Sequence, residues 1–253
     1  MTKKVLTRLE KYRHSFNTID LFKVIAVFSM IIDHVGVYLL NNNEIFFDFG
    51  RIAAPLFFFL VGYNVKPFSK NEPSLSSWFS SSFRMLLFGA ILTITYYFLY
   101  DRFQLNILLN MLLIRAYLHH FSPRNWTKPA LILLIIGLCF TNGFVRPYLE
   151  YGLIGLIYGI AGQLLFDGRR KIASIIIFIS LFFQFSYYWS MNDYPLYLAI
   201  TGVLIWAMLT FFQFKELKIS GVFQNILLVC SRYTLEIYFI HLFLLQILVI
   251  GSR

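Results

Sequence analysis

Two adjacent ionisable residues, Asp33 and His34, lie deep in the apolar run IDLFKVIAVFSMIIDHVGVYLL. An ionisable side chain held away from water is costly unless it is partnered, so a pair at that depth is a functional candidate by default. Both His34 and Asp33 are therefore candidates for a functional role, and neutral imidazole is a group that can take a proton near pH 7. Neighbouring helical positions diverge by about 100°, so the two cannot face one partner. The competing reading is helix packing, with His34 hydrogen-bonded to a neighbouring helix and Asp33 satisfied by Arg51. Lys23, on the same run, precedes His34 by about 16 Å of helix rise. A ligand held by cations at that end needs a long arm to reach the imidazole. Asn17 and Asp20, at the start of the run, have the spacing of an N-cap and its reciprocal acid.

Two further segments carry polar groups. GRIAAPLFFFLVGYNVK places Arg51 at the entry to an apolar run, with Pro55 and Gly62 inside it. SRYTLEIYFIHLFLLQI places Tyr238 and His241 three apart, on one helical face, with Glu236 on another. Arg232 and Glu236, four apart, have the spacing of a surface ion pair. Arg51, Tyr238 and His241 are the hydrogen-bond donors on these segments. His119 and His120 lack carboxylates at metal-ligand spacing, Cys139 and Cys230 lack partner spacing, and no metal is expected. There is no Gly-rich phosphate loop and no serine nucleophile elbow. Gln104, Asn106, Asn110, Gln163 and Gln184 either join helices by hydrogen bonds or line a polar cavity.

The elements that must position these groups follow from composition. The 253 residues are 58% hydrophobic, 19% aromatic and 13% charged, against roughly 25% charged in a soluble domain. Too little polar surface remains to wrap a globule of this size. Runs of roughly 20 apolar residues span the hydrocarbon of a bilayer, and the expectation is an all-α, polytopic integral membrane bundle of nine to ten transmembrane helices. They fall near 19–40, 50–65, 82–100, 104–119, 129–144, 149–166, 172–190, 195–213 and 233–251, with 219–230 as an interfacial helix or the start of a tenth span. Residues 1–253 read as a single transmembrane domain with a short basic segment, 1–18, and without the ordered parts of a cleaved signal peptide. The net charge of +10 sits in small groups at the ends of apolar runs, so it reads as a topology signal and excludes nucleic acid as a partner. With the N-terminus inside, all but Arg51, Arg102, Arg146 and Arg253 of the 22 Lys and Arg residues gather on the cytoplasmic face. The N-terminus and the loop around Ser74 are then cytoplasmic, and the loops around Asn42 and Asn192 lie outside.

The arrangement of LFKVIAVFSMIIDHVG, then GRIAAPLFFFLVGY, then YTLEIYFIHLFLL resembles the TraX family of conjugation-associated membrane acetyltransferases. More distantly it is similar to the type 3 acyltransferases and the heparan-glucosaminide acetyltransferase-like membrane enzymes. The likeness lies in the first two helices and the last, while the middle of the chain agrees in hydropathy. It implies a protein of the bacterial cytoplasmic membrane that moves an acetyl group from cytoplasmic acetyl-CoA to an amine or hydroxyl. The acceptor would be a sugar, a lipid-linked glycan or a protein amino terminus. It also implies that His34 is the base or transient acyl acceptor and that Arg84 holds CoA phosphates. The wider superfamily often has two arginines three apart, whereas Ser81 and Leu87 flank Arg84 at that spacing; Lys66, Lys70 or Arg13 would supply the second charge, with Lys23 nearby. An extended pantetheine arm has about the reach needed from these cations to His34. In the acyl transfer that the resemblance implies, Arg51, Tyr238 and His241 are the candidates for holding an oxyanion or acceptor.

The alternative is a transporter or flippase in which buried Asp33 and His34 relay protons or bind substrate. Such proteins commonly show repeat symmetry or paired broken helices, and the sequence reveals neither. A structural subunit with polar residues as packing glue is the third reading.

Overall fold

The computed structural model describes residues 15–40, 44–65, 75–121, 123, 126–189, 195–219 and 221–251. These form α1 (Thr18–Tyr38), α2 (Glu44–Gly50), α3 (Ala53–Asn64), α4 (Leu75–Tyr100), α5 (Ile107–His120), α6 (Lys128–Val145), α7 (Ile154–Phe166), α8 (Arg170–Trp189), α9 (Pro195–Thr210), α10 (Val222–Arg232) and α11 (Thr234–Gly251). Among the described residues there is no β-strand beyond two isolated bridges, Asn17 with Glu216 and Leu105 with Leu149.

The start of α1 is set by its own sequence. Asn17 accepts from the Ile19 and Asp20 amides while Asp20 accepts from the Asn17 amide, which satisfies donors that a helix start leaves open. The extended segment after α9 then latches on. The Thr18 amide donates to the Lys215 carbonyl at 3.0 Å, and the Leu217 amide donates to that of Phe16 at 2.9 Å. Next in the chain, α10 buries Leu227 and Ser231 while leaving Val222, Phe223, Ile226 and Val229 exposed, as is Tyr233 just after it. An apolar stripe left uncovered on a short helix is the pattern of a helix lying at the membrane interface. It meets α11 at a 74° bend, so 219–230 does not run straight into the last helix. That bend also overturns the expected Arg232–Glu236 ion pair, because four-residue spacing brings side chains together only along one continuous helix. Glu236 instead binds Arg84 of α4.

The interior is built on three short helices. In α3 nearly every side chain is buried, and α7 is buried from Gly155 through Leu165 except for half-buried Leu156. They touch backbone to backbone. A Cβ at Gly62 would overlap the Gly159 carbonyl, and one at Gly162 would overlap that of Phe59. Only glycine permits that approach. The contacts also give direction. Phe58 meets Gly155, Gly62 meets Gly159 and Tyr63 meets Phe166, so α3 and α7 run parallel. Ile114 and Leu118 of α5 cover Gly155 and Gly159 in the same sense, so the N-terminal ends of all three helices lie together.

This arrangement corrects the expected count of nine to ten transmembrane helices. Among the described residues, three helical segments are long and apolar enough to cross a membrane: 18–38, 82–100 and 128–145, or four if α10 with α11 counts as one bent span. The helices read at 50–65, 104–119 and 149–166 have 12, 14 and 13 residues, or about 18 to 21 Å of rise, short of a hydrocarbon core about 30 Å thick. Their apolarity reflects burial inside protein, which a hydropathy pattern cannot tell from exposure to lipid. The 149–166 run is also broken by a turn in which Tyr151 and Gly152 have φ of 66° and 55°. By contrast, α6 leaves Leu133 70%, Phe140 70% and Phe144 81% exposed, a surface that suits lipid and not water.

Candidate active site

α1 and α11 lie side by side in parallel, pairing His34 with His241 and, further along both helices, Tyr38 with Gln246, while Asp20 at the start of α1 accepts from Ser231 of α10. The turn preceding α3, the N-cap of α5 and the connection into α7 close on this pair from the other side. They bring Arg51, Asn106, Glu150 and Tyr151 to the same place.

The centre is a histidine pair. Nδ1 of His34 lies 2.7 Å from Nε2 of His241, with the ring centroids 5.0 Å apart and 21° between planes, so the two rings meet edge to edge and nearly in one plane. His241 Nδ1 lies 2.7 Å from the Ile237 carbonyl, one turn back on α11. Tyr238 and Tyr38 present their rings edge-on to His34 at 6.0 and 6.2 Å. The Tyr238 hydroxyl accepts from Asn106 Nδ2 at 3.0 Å, while its own proton has only a 3.4 Å contact to Asn106 Oδ1. That oxygen already caps α5 by accepting from the Leu108 amide at 3.0 Å. The Tyr238 proton is therefore weakly held and free to turn toward a ligand.

Two connections fold against each other to support this centre. The Leu105 amide donates to the Tyr148 carbonyl at 2.8 Å, and the Glu150 amide donates to that of Leu105 at 3.0 Å. Glu150 Oε2 then accepts from the Ile107 amide at 2.8 Å, placing a carboxylate on the α5 N-terminus. Asn110 fixes the turn by donating to the Glu150 and Gly152 carbonyls at 2.7 and 3.1 Å. Tyr151, held in the left-handed region that a bulky residue rarely adopts, receives Arg51 over its ring at 5.8 Å. The Arg51 charge acts on Asp33, His34 and Glu150 alike. Asp33 packs against the Gly50 backbone so closely that no Cβ fits there. Its Oδ1 and the Gln246 Oε1 are buried acceptors without a hydrogen-bond partner among the described residues.

Of the residues singled out in the sequence, Asp33, His34, Arg51, Tyr238 and His241 come together here. Lys23 is half-buried toward the other end of α1. Arg84 binds Glu236 at 2.6 Å and stays 66% exposed. Lys66 and Lys70 lie outside the described residues. Asn106 and Glu150 gain their place from tertiary pairing. Asn106, expected from the sequence to join helices or line a cavity, does the former by donating to Tyr238, whereas the sequence marks Glu150 only as an acid at an outer connection. No group of three His, Cys, Asp or Glu among the described residues is arranged to hold a metal.

Residues 18–249 match the family described as TraX protein. The chain belongs to the TraX family. Every group of the site falls inside the matched span of this TraX chain. An uncharacterized protein of Rickettsia prowazekii (strain Madrid E) is 36% identical over 103 residues, 40% of this chain and 37% of that protein. The aligned part is thus little more than a third of that relative's length. No solved structure matches this TraX chain.

Proposed function

We propose that this TraX-family protein is a membrane-embedded acyltransferase that moves an acetyl group from acetyl-CoA to an amine or hydroxyl, with His34 as base. The observation that carries the reading is the His34–His241 pair enclosed beside the Tyr238 hydroxyl. In the step, the acceptor's nitrogen or oxygen attacks the thioester carbonyl carbon as its proton passes to His34 Nε2. The tetrahedral intermediate carries negative charge on oxygen, which the Tyr238 hydroxyl and the helix N-termini stabilise. Collapse breaks the carbon–sulfur bond, and the departing CoA thiolate takes the proton back from His34. The acceptor is a sugar, a lipid-linked glycan or a protein amino terminus, as in the family resemblance. Arg84 and Lys23 supply positive charge for the CoA phosphates, with Lys66 and Lys70 as further candidates. Glu236, which Arg84 binds, precedes His241 by about 7.5 Å of helix rise.

One observation favours the transporter reading. Short helices whose N-termini meet near a buried polar site are a construction that membrane transporters use to hold anionic substrate groups, and α3, α5 and α7 have that form. Acetyl-CoA separates the two. The acyltransferase binds it, is thermally stabilised by it, and incorporates labelled acetyl into isolated membranes. His34→Gln, which keeps a hydrogen-bonding side chain without basicity, abolishes incorporation while binding persists. Substantial turnover by well-folded His34→Gln excludes His34 as the base.

A further inference from the structure

We propose that His241 is a positioning residue that fixes the tautomer of His34, leaving the lone pair on His34 Nε2. This rests on the acyl-transfer reading for its use, but the argument is geometric. A carbonyl oxygen only accepts, so the nitrogen 2.7 Å from the Ile237 carbonyl, His241 Nδ1, carries hydrogen. Neutral His241 then has only a lone pair at Nε2. That lone pair faces His34 Nδ1 at 2.7 Å, and two lone pairs do not approach so closely, so His34 Nδ1 carries hydrogen and donates it. One nitrogen of His34 remains. Nε2 holds no proton and has no hydrogen-bond partner among the described residues, which is the form a base needs.

The helix backbone is the origin of the order. The Ile237 carbonyl stands four residues before His241, so α11 supplies an acceptor at fixed distance from the ring, and the near-coplanar approach of the two rings aligns Nε2 of the one with Nδ1 of the other. His241 thereby does for His34 what a buried carboxylate does in a serine-hydrolase triad, orienting one nitrogen so that the other can act. When His34 Nε2 takes the acceptor's proton, the resulting imidazolium still donates from Nδ1 to His241. Its charge is shared along the hydrogen bond with no change of partner.

The test is nitrogen NMR of the full-length protein carrying 15N-labelled histidine in detergent or lipid, with His34 assigned by its loss in His34→Gln. Wild type is expected to show protonated Nδ1 and bare Nε2 for both His34 and His241. His241→Ala is expected to release His34 into mixed tautomers and to lower turnover of labelled acetyl at least a hundredfold, with acetyl-CoA KM nearly unchanged. His241→Gln, whose amide oxygen can accept from His34 Nδ1, is expected to recover much of both signals. A wild-type spectrum with hydrogen on His34 Nε2 overturns the proposal whatever the activity, and so does a His34 tautomer indifferent to His241→Ala. The predicted tautomers in a protein that transfers no acetyl group would sink the acyltransferase reading and leave the positioning role standing.

Discussion

Removing one oxygen from Tyr238 separates structure from chemistry at the scale of a single residue. Tyr238 is 4% exposed and its hydroxyl holds Asn106, which in turn caps α5. In Tyr238→Phe the Asn106 amide loses its acceptor inside the protein, a loss of about 1 to 3 kcal/mol that thermal unfolding in detergent will register. If the hydroxyl also donates to the oxyanion, acetyl incorporation falls by about a hundredfold to a thousandfold in protein that remains folded. A stability loss with turnover intact would confine Tyr238 to holding Asn106. Depth in the membrane made this residue, with Asp33, His34 and His241, legible in the sequence, because polar groups in an apolar run stand out. Glu150 and Asn106 were not legible in the same way. Both fall within the helices expected at 104–119 and 149–166, whereas both stand ahead of the helices that form, Ile107–His120 and Ile154–Phe166. Only the pairing of Leu105 with Tyr148 and Glu150 carries them to the histidines.

At the scale of the element, the glycines of α3 and α7 set how closely two buried helices lie. Gly62→Ala places a methyl group inside the Gly159 carbonyl, which cannot yield without moving a helix. The expected result is a loss of about 1 to 3 kcal/mol or more, in the range of overpacked cores. Gly137 on α6 is the control, since nothing lies within 4 Å of a Cβ there. Gly137→Ala should stabilise by roughly 0.5 to 1 kcal/mol through helix propensity alone. Equal melting temperatures for the two variants would remove the close packing of α3 on α7. Most helices were readable from apolar runs, though Glu44–Gly50 was missed and Leu75–Tyr100 begins well before the expected 82, and the cap at Asn17 was readable from its spacing. Their roles were not. An apolar run of 12 residues buried among helices and a longer run facing lipid have the same composition, and only the tertiary contacts separate α7 from α6.

Across the whole molecule, the directions of the helices and the placement of charge describe one polarity. α3, α5 and α7 point their N-termini at the site and their C-termini at the face that carries Arg115, Lys128, Arg169, Arg170 and Lys171. Cations near helix C-termini and a charge-bearing site near N-termini both agree with the helix dipole. The same face receives the segment after α9, where Lys215 bonds the start of α1. Because α1 and α11 are parallel, their far ends at Leu40 and Gly251 emerge together on the opposite face. The positive-inside rule predicts that the cation-rich face is the cytoplasmic one. Single cysteines test this in a background of Cys139→Ser and Cys230→Ser, which removes both native thiols. Leu40→Cys and Gly251→Cys should react with an impermeant maleimide added to intact cells, whereas Lys171→Cys and Lys215→Cys should react only after the inner face is opened. If all four patterns invert, the cations have misled and the fold stands with its orientation reversed. If Leu40→Cys and Gly251→Cys react from different sides, α1 and α11 are not parallel, and the pairing of His34 with His241 fails with them.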